Sequence, residues 1–297
     1  WLCKKNNRKM ALRYKIIKAV EGPSTVEFEI FEPKSDSEVA KGTVSRAKAA
    51  CLCCGTILPP ERVRAQLSEQ RGGADVIFDQ AGRRIGGARL LAVVTLKTNV
   101  QGRHYRLPEE RDYVAVRKAK ELLTQILIEW EQSGKQGLCP VPDEPLPLMS
   151  GTFNVPLYGI NSWGSLFTIR QKVTLITLAN LIREERISKH TRRILACAFD
   201  IFTRSCNSNA RLRPDSSIAP AFGMQALPIT WTFPETTILG GRSENFDGAI
   251  ATIEKVLTGG KIPSSIGGQV QIADAVEHPL TDESASIWFT DPPYYFA

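Results

Sequence analysis

The sequence has no apolar run approaching the ~20 residues of a membrane-spanning helix, which excludes a chain built to cross a bilayer on helices. It also lacks an initiator methionine and the apolar core of a signal peptide, since Trp1-Leu2-Cys3-Lys4-Lys5 supplies neither. Disorder is excluded by composition: 42% of the 297 residues are hydrophobic and 23% charged, which is ordinary globular usage. Histidine is scarce, and His104, His190 and His278 show no metal-ligand spacing. The seven cysteines form an odd set without a secretory signal, which argues against a disulfide framework. Positive charge is the one excess. The formal balance of +7 suits a polyanionic partner but says nothing about fold. The length allows two modest domains with a real core. Both ends read as cut, so an internal piece of a longer cytoplasmic protein is expected.

Periodicity divides the chain into three. Residues 1–20 carry seven Lys or Arg and no acid, and Met10–Ile17 partly alternates. Val26-Glu27-Phe28-Glu29-Ile30 alternates cleanly beyond the Gly22-Pro23-Ser24 turn, so a β-hairpin is expected. Ala88–Leu96 reads as a well-buried strand following a Gly86-Gly87 turn. Residues 1–100 are thus assigned to a strand-rich module. Helical spacing then takes over at 110–132, where Ala115, Ala119, Leu122, Ile126 and Trp130 share one face. Pro140–Pro147 is an extended connector, because its prolines exclude helix and central strand. Helices are expected at about 166–186, 188–204 and 244–257, with a loop-rich stretch over 207–242. The end of the chain reads as strand, acidic loop, strand, acidic loop: Gln269–Ala273 into Asp274, then Ser286–Thr290 into Asp291. That is α/β logic, in which ligands are met at the carboxyl ends of strands.

The sharpest motif is Asp291-Pro292-Pro293-Tyr294, directly after that second strand. The plainer reading is a proline turn capping a strand. The chemical reading explains every residue type. An exocyclic amine on a base is a poor nucleophile because its lone pair is delocalised into the ring. A carboxylate and a backbone carbonyl accepting its two N–H bonds hold the nitrogen nearer tetrahedral and aim the lone pair. Adjacent prolines fix φ and present carbonyls without competing N–H groups. An aromatic side chain stacks on a base flipped out of the duplex.

On these residues the chain resembles the amino-group DNA methyltransferases that use S-adenosylmethionine. More specifically, it resembles the adenine-specific DNA methylases that carry an inserted zinc ribbon. The resemblance extends over Trp1-Leu2-Cys3-Lys4-Lys5, Gly42-Thr43-Val44-Ser45-Arg46, Cys51–Gly55, Gly87–Val94, Pro142–Pro147, Tyr158-Gly159-Ile160, Trp163-Gly164, Leu166-Phe167-Thr168, Gln225-Ala226-Leu227-Pro228 and Thr290–Tyr295, in the family's order. It implies an α/β fold: part of a Rossmann-like methyltransferase domain over 216–297, preceded by the zinc-ribbon-like module at 1–100. A helical insertion at 101–215 would lie between them as a candidate target-recognition region. Asp291, Pro292, Pro293 and Tyr294 would be catalytic, and Asp274 would meet the cofactor's adenine. The plainer reading of Asp274 is an ordinary strand-end acid. A Gly-rich cofactor loop of the family's kind is not found in the sequence and is expected upstream of Trp1. Double-stranded DNA is the implied substrate, with a restriction or defence system as the implied partner.

Cys51-x-x-Cys54-Gly55 is half of a zinc knuckle, because two thiolates at that spacing reach one tetrahedral ion. Cys53 fits the spacing less well than Cys54, and no second Cys or His pair follows. The resemblance places that second pair before Trp1. Two inert thiols are the alternative. The basic stretch 4–18 and the group Arg83, Arg84 and Arg89 are candidate phosphate contacts, or plain solvated faces. Two other functions stay open: methylation of the cytosine amine, and a nucleic-acid-binding zinc module without catalysis.

Overall fold

The computed structural model describes residues 1–5, 8–22, 24–97, 100–149, 151–223, 226–240, 244–259, 271–273 and 280–289. The chain divides into two compact units, Trp1–Leu257 and Thr258–Ala297. It is a mixed α and β protein, and the sheets among the described residues are small and antiparallel.

The first sheet joins β1 (Cys3–Lys5), β2 (Arg8–Ile17) and β3 (Thr25–Phe31) in that order. Alternation sets its register. Leu12 faces Ile30, Tyr14 faces Phe28 and Ile16 faces Val26, while Arg13 faces Glu29 and Lys15 faces Glu27. Apolar side chains thus pair on one face and opposite charges on the other. The expected hairpin is present. A second small sheet contains β4 (Val44–Ser45), β5 (Lys48–Ala50) and β6 (Ile57–Leu58), followed by helix α1 (Pro60–Glu69). Two further hairpins pair β7 (Val76–Phe78) with β8 (Arg84–Gly87), and β9 (Val93–Lys97) with β10 (Val100–Arg106).

These hairpins correct the expected buried strand at 88–96. Pairing starts only at Val93, and Leu96 is 68% exposed because a two-stranded ribbon leaves one face in water. Gly86 and Gly87 are strand residues and not a turn. Gly87 has φ +64°, and a Cβ there would run into the Asp75 carbonyl oxygen. Close backbone approach, not chain reversal, is what needs glycine at this point.

Helix α2 (Glu110–Gln132) has the expected bounds. The Glu109 N–H donates to the Asp112 carboxylate at 2.7 Å, closing its first turn. Helix α3 (Ile169–Glu184) starts with a reciprocal cap, in which the Thr168 N–H donates to Gln171 Oε1 at 2.9 Å and the Gln171 N–H donates to Thr168 Oγ1. Helix α4 (Lys189–Ser205) starts at Ser188, which accepts from the Thr191 N–H. Helix α5 (Phe246–Gly259) follows a tiny hairpin of β11 (Arg211–Leu212) and β12 (Ile218–Ala219). Leu175, Leu178, Ala198, Phe202, Cys206, Phe246 and Ala249 form one apolar cluster between α3, α4 and α5. Leu146, Val155, Ile160, Leu166 and Leu227 form a second one under the proline connector.

Polar joints tie the strand-rich part to the rest of the first unit. The Asp75 carboxylate accepts the Ile169 N–H at the start of α3 and pairs with Lys172 at 2.9 Å. The Ser216 hydroxyl donates to the Leu2 carbonyl at 3.1 Å.

In the second unit the polar turn over 281–284 is present, with the Ser284 N–H donating to the Thr281 carbonyl at 3.3 Å, but the expected strands are not seen where they are described. Gln271–Ala273 and Ser286–Phe289 carry no strand, and no parallel sheet of Rossmann type forms among the described residues. The remainder of both expected strands lies outside the described residues. The physical reason shows in the exposures: Ile287 is 85% and Phe289 92% exposed, and an apolar strand without sheet neighbours to bury it gains nothing from pairing geometry.

Candidate functional site

Asp291, Pro292, Pro293, Tyr294 and Asp274 lie outside the described residues. The expected catalytic residues and the expected cofactor residue are therefore placed by sequence alone. Of the residues singled out, Cys51 and Cys54 are positioned, as are the basic groups.

The cysteines sit at the tip of the β5–β6 hairpin. The Cys51 N–H donates to the Thr56 carbonyl, and the Gly55 N–H donates back to the Cys51 carbonyl, both at 2.9 Å. This knot needs Gly55, whose φ is +73° although a Cβ there would meet open space. The three thiols differ. Cys54 is exposed, with its Sγ 3.2 Å from Thr56 Oγ1. That contact, the Thr56 backbone and then Cys51 lower its pKa. The Cys53 thiol points away to the Ser24 carbonyl at 3.6 Å. Burial first, and then its two sulfur neighbours, raise its pKa. The turn therefore offers Cys54 as the readier thiolate, with Cys51 beside it. Two thiolates suit half of a tetrahedral zinc site, but no third ligand completes a metal group among the described residues.

Strand β2 is less of a phosphate track than its composition suggests. Arg13 binds Glu29 through two nitrogens, at 3.0 and 2.7 Å, and Lys15 approaches the same carboxylate at 3.4 Å. The Arg13 hydrogen bond is the main reason that the Glu29 pKa falls to about 2. Lys4 pairs with Asp36. Three of the seven cations in the basic stretch are thereby ion-paired, with two carboxylates between them.

The Arg83, Arg84 and Arg89 group behaves differently. These residues meet α2 across a cleft of about 830 Å³, whose other wall carries Tyr113 and Arg117. Phe78 of β7 stacks edge-on against Tyr113 at 6.3 Å between ring centroids, and Arg117 lies over the Phe78 ring. Sequence reasoning missed Phe78, Tyr113 and Arg117. The available signal was Tyr113 and Arg117 at i, i+4, off the stripe read from the sequence; the helix in fact buries Val116 and Leu123 and leaves Ala115 and Leu122 exposed.

No helix among the described residues is long and apolar enough to cross a membrane. No family model, no curated protein and no solved structure matches the chain.

Proposed function

We propose that the chain carries the catalytic segment of a DNA methyltransferase acting on the exocyclic amine of adenine in duplex DNA. The carrying observation is Asp291-Pro292-Pro293-Tyr294 directly after the apolar segment Ser286-Ile287-Trp288-Phe289-Thr290. In this reading the Asp291 carboxylate and a proline carbonyl accept the two amine protons and aim the nitrogen lone pair. Tyr294 stacks on the flipped base. S-adenosylmethionine would supply the methyl group, with Asp274 at its adenine. Residues 216–297 belong to a Rossmann-like domain, with a strand-rich zinc-ribbon-like module and a helical insertion before it. Cys51 and Cys54 give zinc two of its four ligands. The location is cytoplasmic, and the partner is a restriction or defence system.

The test is single-turnover methyl transfer to duplex DNA by the protein as the cell makes it. Asp291→Ala should abolish turnover, because the remaining proline carbonyl accepts only one of the two amine protons and no longer aims the lone pair. Tyr294→Phe should retain most of the rate. Tyr294→Ala should lose about tenfold to hundredfold, the equivalent of ~1–3 kcal/mol of stacking. Wild-type turnover in Asp291→Ala would end the assignment. Duplexes with cytosine as the only amino base in the target strand separate the cytosine reading, and transfer to none leaves the binding-module reading.

A further inference from the structure

The cleft between the β7–β8 hairpin and the first half of α2, which Glu110 also lines, holds two of its four arginines, Arg84 and Arg89, by carbonyls and rings where Arg13 and Lys4 are held by carboxylates. Arg84 Nε donates to the Ala88 carbonyl at 2.8 Å, and its Nη2 donates to the Gly87 carbonyl at 2.7 Å. Both Nη atoms of Arg89 donate to the Val26 carbonyl at 3.2 Å, and its guanidinium lies 4.8 Å from the centre of the Phe28 ring. Carbonyls and rings orient a guanidinium without cancelling its charge. Among the described residues, no carboxylate forms an ion pair with either. Partial burial lowers the pKa of Arg84, with Tyr113 opposing this and the Arg89 cation adding to it. Arg83 adds a third, exposed cation, paired only along its own hairpin with Asp79 at 2.9 Å. Arg117 donates to the Gly82 carbonyl and pairs with Glu110, which fixes the opposite wall. Tyr113 and Phe78 put aromatic faces between the cations. Preorganised cations beside aromatic rings are what a phosphodiester chain needs: point contacts for phosphate and apolar surface for sugar or base.

We propose that this cleft is a DNA-backbone site, with phosphates held by Arg83, Arg84 and Arg89 and the adjoining sugar or base against Tyr113. The choice of DNA rests on the methyltransferase reading; the cationic geometry does not. Binding is read without methyl transfer, so the two can fail separately.

The experiment is fluorescence anisotropy of a labelled 20-base-pair duplex titrated with the protein across a salt series. Arg84→Gln and Arg83→Ala should each weaken binding by about threefold to tenfold and lower the salt slope by about one ion. Arg83→Glu should weaken it further. Arg193→Ala, an exposed change on α4, should leave affinity and slope as they are. Thermal melting checks each fold. Arg84 also ties its own hairpin, so exposed Arg83 decides the matter if Arg84→Gln unfolds. Unchanged affinity and slope in Arg83→Glu would overturn the proposal. So would micromolar ATP displacing the duplex, which would make the cleft a nucleotide pocket. Cleft-dependent binding in a protein that transfers no methyl group would sink the methyltransferase reading and leave the cleft standing.

Discussion

Before residue 107, the buried apolar residues among those described are Cys3, Ala11, Pro33, Val63 and Ala74, none larger than valine. Beyond it they include Val155, Leu166, Leu175 and Phe202. The strand-rich stretch is held by hairpin hydrogen bonds, by ion pairs such as Arg13–Glu29, and by cations over rings. The helical stretch is held by two apolar clusters. Small sheets of two or three strands cannot bury much, so chains of this kind lean on staples, metals or a partner surface. In this molecule the less self-sufficient region is also the one carrying the cysteine turn and the arginine cleft. Surface left unburied by folding is surface available for binding.

The contrast breaks first at its largest expected effect. Phe202 is 1% exposed and packs edge-on against Phe246 at 6.2 Å. Phe202→Ala should cost about 3–5 kcal/mol of unfolding free energy through the cavity it leaves. Ile85 of β8 is 65% exposed, and Ile85→Ala should change stability by no more than about 0.5 kcal/mol. Guanidinium unfolding of both variants gives the comparison. Similar losses would mean that the strand-rich half has a core after all.

A smaller effect is expected at the joint between the two regions. Asp75 and Lys172 are each 14% exposed, and the carboxylate also serves the first N–H of α3. Burial raises the Asp75 pKa against the opposing pull of Lys172. Asp75→Ala should cost about 2–3 kcal/mol, because it leaves an ammonium without its partner and a helix N–H without its acceptor. Lys172→Met should cost less in acid than in base. With a folded pKa above the unfolded value, the native state holds the proton over that interval, so stability falls as pH rises through it. Denaturation midpoints of Lys172→Met at pH 5 and pH 8 check the sign. A variant more stable at pH 8 would show that the carboxylate is not buried as described.

The same contrast decides what could be read from the sequence. The bounds of α2 were legible because a long amphipathic helix repeats its signal over many turns, and the β2–β3 hairpin was legible because both strands alternate across a turn. The stretch 88–96 misled, since an apolar run alone does not separate a core strand from a ribbon edge. Gly86-Gly87 misled because glycine serves both chain reversal and close approach, and only the Asp75 carbonyl distinguishes them. Cys51 and Cys54 were singled out by spacing, and no third ligand joins them among the described residues. The cleft was half found: Arg83, Arg84 and Arg89 are neighbours in sequence, whereas Tyr113 and Arg117 reach it from another element.

The smallest effect sharpens the contrast at single sulfur atoms. The helical region holds Cys206 buried at the end of α4, where desolvation pushes its thiol up to about 12. The strand-rich region holds Cys54 exposed and lowered, next in sequence to Cys53, which is raised. The thiolate is the reacting species, so alkylation by iodoacetamide should rank Cys54 ahead of Cys53, with Cys206 silent until the protein unfolds. Because its pKa is lowered, Cys54 should keep reacting at pH values where an ordinary thiol has slowed, and Cys53 should need a higher pH. Peptide mapping by mass spectrometry after timed alkylation reads each site separately. Equimolar zinc then adds a second layer. Protection of Cys51 and Cys54 ahead of Cys53 is the expected pattern, since Cys53 is turned toward the Ser24 carbonyl. Preferential protection of Cys53 would move the ligand assignment within the turn. Equal rates at Cys53 and Cys54 without metal would remove the physical basis for choosing between them.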